Sequence, residues 1–341
     1  MEAGKPEAKE PWIDIVKWIA CMLVLLGHFF QSMVKSGLID QSPGYNWFEH
    51  TIYLFHVPLF FICSGYLYQR NSSIATFSQW KKNILGKLTA LGVPYVTFTV
   101  CSWLLKVLFQ SAVNEEENGS LLYTLFAEPM APYWYLYILF FLFLVTPVLR
   151  SKKQALIMLG ISLFIFLFQQ NDKVKVIYFV QGIARWEIWF LFGMLMCFYG
   201  KKSRFELKAF ICSLLLLPMT LWGYNREIEV GLWVLYSLAG GILGCLFVIQ
   251  TVFFFGHKVP DSFIRFSRNN TLPIFLMHTI FAAGIRSILL KAGITDAAIH
   301  IVVGIGGSIA LPVMAAEIMR KSKWLYFFIK PSVISLHKEE K

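Results

Sequence analysis

Charge is scarce in this chain. Only 15% of its 341 residues are Asp, Glu, Lys or Arg, while 57% are hydrophobic and the mean hydropathy is +0.60. A soluble domain carries roughly a quarter of its residues as charges, so this composition excludes a water-soluble globular protein. Cysteine is sparse too. The six, at positions 21, 63, 101, 197, 212 and 245, fall inside apolar runs, with neither metal-ligand spacing nor the pattern of a secreted disulfide framework. They are expected to serve as small core residues. Internal repeats, low-complexity linkers and any stretch polar enough for a soluble domain are missing, and the absence of an inverted repeat weighs against a secondary transporter. The leader "MEAGKPEAKEP" runs into too long an apolar segment, without a small-residue cleavage site, to read as a cleaved signal.

What the chain has in abundance is long apolar runs. Hydropathy marks ten candidate spans, at about 13–34, 51–69, 89–110, 132–149, 154–170, 185–200, 205–223, 229–255, 271–290 and 296–317. Runs of this length cross a bilayer as helices. The expected fold is an all-α, polytopic membrane bundle of about ten transmembrane helices. Placing the N-terminus in the cytoplasm puts most of the 31 Lys and Arg on the cytoplasmic side, so the positive-inside rule favours an N-in, C-in chain in the cell membrane. The net charge of +11 is thus a topology signal, with membrane lipids as surroundings and no nucleic-acid partner. Three segments follow: a cytoplasmic leader (1–12), a membrane domain (13–317) and a basic interfacial tail (318–341) with Trp324 and Tyr326 at headgroup depth. The longest outer connection, 111–132, is acidic and contains Asn118-Gly-Ser, a glycosylation sequon only in a host that glycosylates.

The first span, "DIVKWIACMLVLLGH", carries Asp14, Lys17 and His28. Lys17 and His28 are eleven residues apart, about three helical turns, so they project from nearly one face, separated by about 16 Å. Asp14 lies on the same side. A lysine at a helix end can simply snorkel to the headgroups. His28 lies too deep for that, where an ionisable group costs roughly 2–3 kcal/mol or more and normally faces a cavity or a partner. The alternative is a histidine satisfied within the core.

The basic-x10-His spacing resembles the R-x10-H motif of the membrane acyltransferase-3 family, with Lys17 where that family carries arginine. The D-x-x-K…Gly-His form is similar to its sugar O-acetylase branch, of the fucose 4-O-acetylase type. "FHVPLFFICSGYLY" (55–68) resembles the family's second signature, "PYWYLYILFFLFLVTPVL" (132–149) its W-[FY]-L helix, and "TLPIFLMH" (271–278) its late Leu-x-His segment. The resemblance covers nearly the whole chain. Physical reading of the second signature adds that Pro58 removes a helical N–H and that Ser64 and Gly65 permit close backbone approach. Irregular backbone at membrane depth is tolerated only within protein or beside a wet cavity; a plain kinked packing helix is the competing reading.

The resemblance implies acyl transfer from a thioester to a hydroxyl. In that reading His28 is the base, acetyl-CoA is the co-substrate, and no metal is required. Lys17 and Lys87 (the latter just before "LGVPY") would hold the donor's phosphates, and Asp14 would hold Lys17 or bind a donor amide. His56, Ser64, Tyr66 and Trp134 would line the acceptor's side, the acceptor being an extracytoplasmic or lipid-linked glycan. Two alternatives stand beside it. One is an exporter of polysaccharide or lipid that performs no chemistry; the other is an acyltransferase with a different acyl group or a non-sugar acceptor.

Overall fold

A computed structural model describes residues 10–72, 74–109, 119–168, 177–199 and 205–331. Most of the leader, Asn118 of the sequon, the cluster Lys201/Lys202/Arg204 and the end of the tail lie outside the described residues. Among the described residues every regular element is a helix: α1 (Pro11–Lys35), α2 (Pro43–Asn71), α3 (Phe77–Leu108), α4 (Leu121–Phe126), α5 (Trp134–Val145), α6 (Lys152–Phe168), α7 (Tyr178–Cys197), α8 (Leu207–Ser213), α9 (Leu216–Gly223), α10 (Val230–Phe255), α11 (Asp261–Lys291), α12 (Ala297–Arg320) and α13 (Lys323–Phe327).

Each of the ten apolar runs contains helix, but among the described residues six helices are both long and apolar enough to cross a membrane: α1, α2, α3, α10, α11 and α12. The shortest of these, α12 with 24 residues, extends about 36 Å, beyond the ~30 Å hydrocarbon core. Two expected spans are interrupted by proline. Thr146 precedes Pro147 and adopts extended backbone (φ −89, ψ 114), ending α5 after 12 residues. Pro218 has no N–H for the Leu214 carbonyl, which accepts instead from Leu217 N at 3.2 Å, and the 205–223 run divides into α8 and α9.

The bundle is organised around α2, whose middle is almost wholly buried. Glycines permit this. A Cβ on Gly65 would overlap the backbone of Phe190 on α7, and one on Gly193 of α7 would overlap the backbone of Ile62. The two helices therefore touch main chain to main chain, as small residues allow in bilayers where packing drives association. On another side Gly240, Gly241 and Gly244 of α10 receive Leu54, Trp189 and Phe55. Pro58 leaves the Leu54 carbonyl without its helical donor, and a Cβ on Gly241 would lie 3.1 Å from that oxygen.

Helix α1 fills the remaining groove and is held in two registers. Glu10–Arg70, Lys17–Cys63, Gly27–Tyr53 and Gln31–Glu49 run in opposite senses, so α1 and α2 are antiparallel. Asp14–Arg268, Cys21–Thr271, His28–His278 and Ser32–Arg286 ascend together, so α1 and α11 are parallel. The fully buried Tyr133 ties in α3 and α11 through Ser102 Oγ (2.8 Å) and Leu276 O (2.9 Å).

Outward faces of α6 and α12 expose Ile161, Phe164, Val302, Met314 and Ile318, an apolar surface suited to lipid rather than water. The expectation of six core cysteines is corrected here. Cys21, Cys63 and Cys245 are buried and Cys197 is half-buried, but Cys101 and Cys212 are exposed. An apolar run in a membrane protein also has a lipid-facing side, where a thiol is tolerated as a small apolar group.

Candidate active site

Three imidazoles meet where α1, α2 and α11 converge. The His28 ring centroid lies 5.6 Å from that of His278, and His28 is near enough to His56 to interact with it electrostatically. Both partners are locked by their own helices. Nδ1 of His56 donates to Ile52 O at 2.6 Å, and Nδ1 of His278 donates to Ile274 O and Phe275 O at 3.0 and 2.9 Å. Each neutral ring therefore turns a bare Nε2 acceptor away from its helix. Nε2 of His278 is buried and has no hydrogen-bond partner among the described residues, a costly state unless a proton donor arrives there.

Tyr53 partitions this cluster from a cavity of about 470 Å³. Its ring stands edge-on to His56 at 4.7 Å, while a Cβ on Gly27, the residue before His28, would lie 3.2 Å from its hydroxyl. The cavity lies between α2, α7 and α10 at the end of the bundle where α1 finishes, and its walls include Glu49, His50, Arg185, Trp186 and Trp233.

At the opposite end of α1, Lys17 and Asp14 are near enough to the Cys63 thiol of α2 to interact with it electrostatically. Asp14 does not hold Lys17; its Oδ2 accepts from Arg268 Nε at 2.8 Å and Nη2 at 2.5 Å. This half-exposed pair contributes less than about 1 kcal/mol to stability; its use is to fix α1 against α11. Lys87, half-buried on α3, lies over the Phe143 ring, 4.4 Å from its centroid.

The other expected site residues divide. Ser64 is buried, its Oγ 3.0 Å from Tyr135 Oη, so it joins α2 to α5. Tyr66 is buried against Trp12, with ring centroids 5.1 Å apart, at the Lys17 end of the bundle. Trp134 packs on Trp186 at 5.4 Å and so backs the cavity wall without lining it. Lys17 and His28 thus share α1, with His56 beside His28, whereas Ser64, Tyr66 and Trp134 lie apart. Sequence reasoning left His278 in a motif without a role, and it missed Arg268, whose partner Asp14 is 254 residues away. It also missed Glu49, Arg185 and Trp233; charged residues near the ends of apolar runs were the available signal.

Among the described residues no group of His, Cys, Asp or Glu is arranged to hold a metal ion. No solved structure matches the chain. It is similar to nodulation protein NolL of Mesorhizobium japonicum (strain LMG 29417 / CECT 9101 / MAFF 303099), 28% identical over 142 residues that cover 40% of this chain and 35% of the relative. The chain thus covers about a third of that relative's length. A family model described as an acyltransferase domain matches residues 10–317, from the start of α1 almost to the end of α12. With that match spanning the long apolar helices and the histidine cluster, the chain belongs to the acyltransferase-3 family and has the helices of a multi-pass membrane protein.

Proposed function

We propose that this protein moves an acetyl group from cytoplasmic acetyl-CoA to a hydroxyl of an extracytoplasmic or lipid-linked glycan, with His28 as general base. The observation that carries the reading is the meeting of His28 with two histidines whose Nδ1 atoms are both engaged by backbone carbonyls. A base needs a neutral imidazole with an accessible lone pair, held in a fixed orientation. His28 takes the proton of the acceptor hydroxyl as its oxygen attacks the thioester carbonyl. The C–S bond then breaks, and the imidazolium returns the proton to the departing thiolate. His278 positions His28: its ring lies 5.6 Å from the ring that must gain and lose a proton, and its buried Nε2 has no other partner among the described residues.

The chain lies N-in and C-in, across about ten passes of the cytoplasmic membrane. Clusters Lys81/Lys82, Lys152/Lys153 and Lys321/Lys323 then share the cytoplasmic side, as the positive-inside rule prefers. Lys17 and Lys87 meet the donor's phosphates there as point charges. The span of about 16 Å between Lys17 and His28 is traversed by the extended pantetheine arm. Asp14 acts on the donor side indirectly, by holding Arg268 and the start of α1.

His28→Ala is expected to abolish acetyl-CoA-dependent acetylation in membranes while the protein still inserts. Mass spectrometry of surface glycans reads the lost acetyl mass. An active His28→Ala protein overturns the assignment, and an exporter without chemistry would tolerate the change.

A further inference from the structure

The cavity beyond Tyr53 has a composition that identifies what enters it. Its volume, about 470 Å³, falls in the usual range for small-molecule sites. One wall is a stack of rings: Trp233 lies nearly parallel to Tyr236 at 5.6 Å, with His50 edge-on to Trp233 at 5.8 Å. The facing wall carries Trp186, with the Arg185 guanidinium 5.2 Å from its ring centroid. Phe61, Trp134 and Arg185 already pack on Trp186, so Trp233 is the aromatic ring of the lining that suits the C–H face of a pyranose.

The charges in the cavity are not balanced against each other. Glu49 is engaged elsewhere: its Oε1 accepts from Gln31 Nε2 at 2.6 Å, and Tyr45 also bonds to it. Nε2 of His50 lies 2.7 Å from Tyr236 Oη, whose own proton goes to Met219 O. Arg185 makes no ion pair or hydrogen bond with the described residues; it lines the cavity, with its guanidinium carbon 5.2 Å from the Trp186 ring centroid. A guanidinium whose donors find no protein acceptor is a fork for an oxyanion.

We infer that this cavity is the acceptor site and that Arg185 selects an acidic sugar, one carrying a carboxylate or phosphate, packed against Trp233. The inference rests on the glycan-acylation reading and adds the acceptor's charge and the residues that recognise it. Tyr53 forms the floor and packs against Gly27 and His56, so the cavity ends one side chain away from the histidine cluster.

Binding without an acyl donor tests this apart from catalysis. Purified protein in nanodiscs is titrated with trigalacturonic acid, its trimethyl ester and galactose 1-phosphate, following intrinsic tryptophan fluorescence. At least one acid should bind saturably and at least tenfold more tightly than the uncharged ester. Preference for trigalacturonate assigns the anion as a carboxylate, and preference for galactose 1-phosphate as a phosphate. Arg185→Gln should erase the preference and Arg185→Lys restore part of it, while Trp233→Leu should weaken every ligand. Acylation retained by His28→Ala faults only the catalytic reading, because these binding measurements use no acyl donor and do not depend on it. Equal binding of ester and acids, or no saturable binding in a monodisperse sample, overturns the inference.

Discussion

The rings of His28 and His278 lie 5.6 Å apart on two helices that run side by side in the same direction. Parallel packing matters because it keeps one register from Asp14–Arg268 to Ser32–Arg286, with the histidine pair between them. The pair is therefore fixed by contacts on both sides along the same seam. His278→Ala is expected to lower the acylation rate at least tenfold, by less than the roughly 10²–10⁴-fold of a lost general base. It should leave the KM for acetyl-CoA unchanged. A rate equal to the parent's in membrane assays would remove His278 from the machinery.

Lys17 is expected to act on donor affinity. Lys17→Arg should keep most activity, because a cation remains at the same place on α1. Lys17→Ala should raise the KM for acetyl-CoA at least several-fold with a small change in kcat, since an interaction made equally in ground and transition states moves KM. An unchanged KM in the alanine variant would refute the phosphate contact.

Backbone contact between α2 and α7 yields a stability prediction. A side chain at Gly193 meets the Ile62 main chain, which cannot rotate away as a flexible side chain could. Gly193→Leu should therefore destabilise by more than about 1–3 kcal/mol, the usual cost of overpacking. Gly231→Leu should cost much less, since a Cβ there meets nothing within 4 Å. Thermal unfolding in detergent compares the two; equal midpoints would contradict the close approach.

Arg320 answers a defect that Pro273 creates. Proline removes the N–H that would serve the Asn269 carbonyl, and Arg320 Nη2 donates to that oxygen at 2.8 Å. Arg320→Ala should cost about 0.5–1.5 kcal/mol, the net worth of one hydrogen bond, because Asn269 is exposed and water can reach the carbonyl. In a Pro273→Ala background, where the helix supplies its own donor, the same change should cost less. A double-mutant cycle measured by thermal unfolding decides, and an equal cost in both backgrounds would rule out the capping role.

Much of this protein was legible before any coordinates. Apolar run lengths mark the helices because lipid leaves the backbone no other partner. The eleven-residue interval from Lys17 to His28 is set by helical period alone. Proline positions mark where α5 ends and where the 205–223 run divides, although hydropathy averaged over a window passes across both.

Neighbour identity was different. Nothing local to Asp14 chooses Arg268 over Lys17; that choice follows from which helix lies beside α1, and so from glycines hundreds of residues away that let α7 and α10 close on α2. The cavity likewise belongs to no segment. Glu49, Arg185 and Trp233 come from three helices, and their shared face exists only once those helices pack. Sequence determined the helices and the depth of their polar residues, through hydrophobic length and helical period. Tertiary structure decided which polar residues meet, because side-chain partnership depends on packing contacts between parts of the chain far apart in sequence.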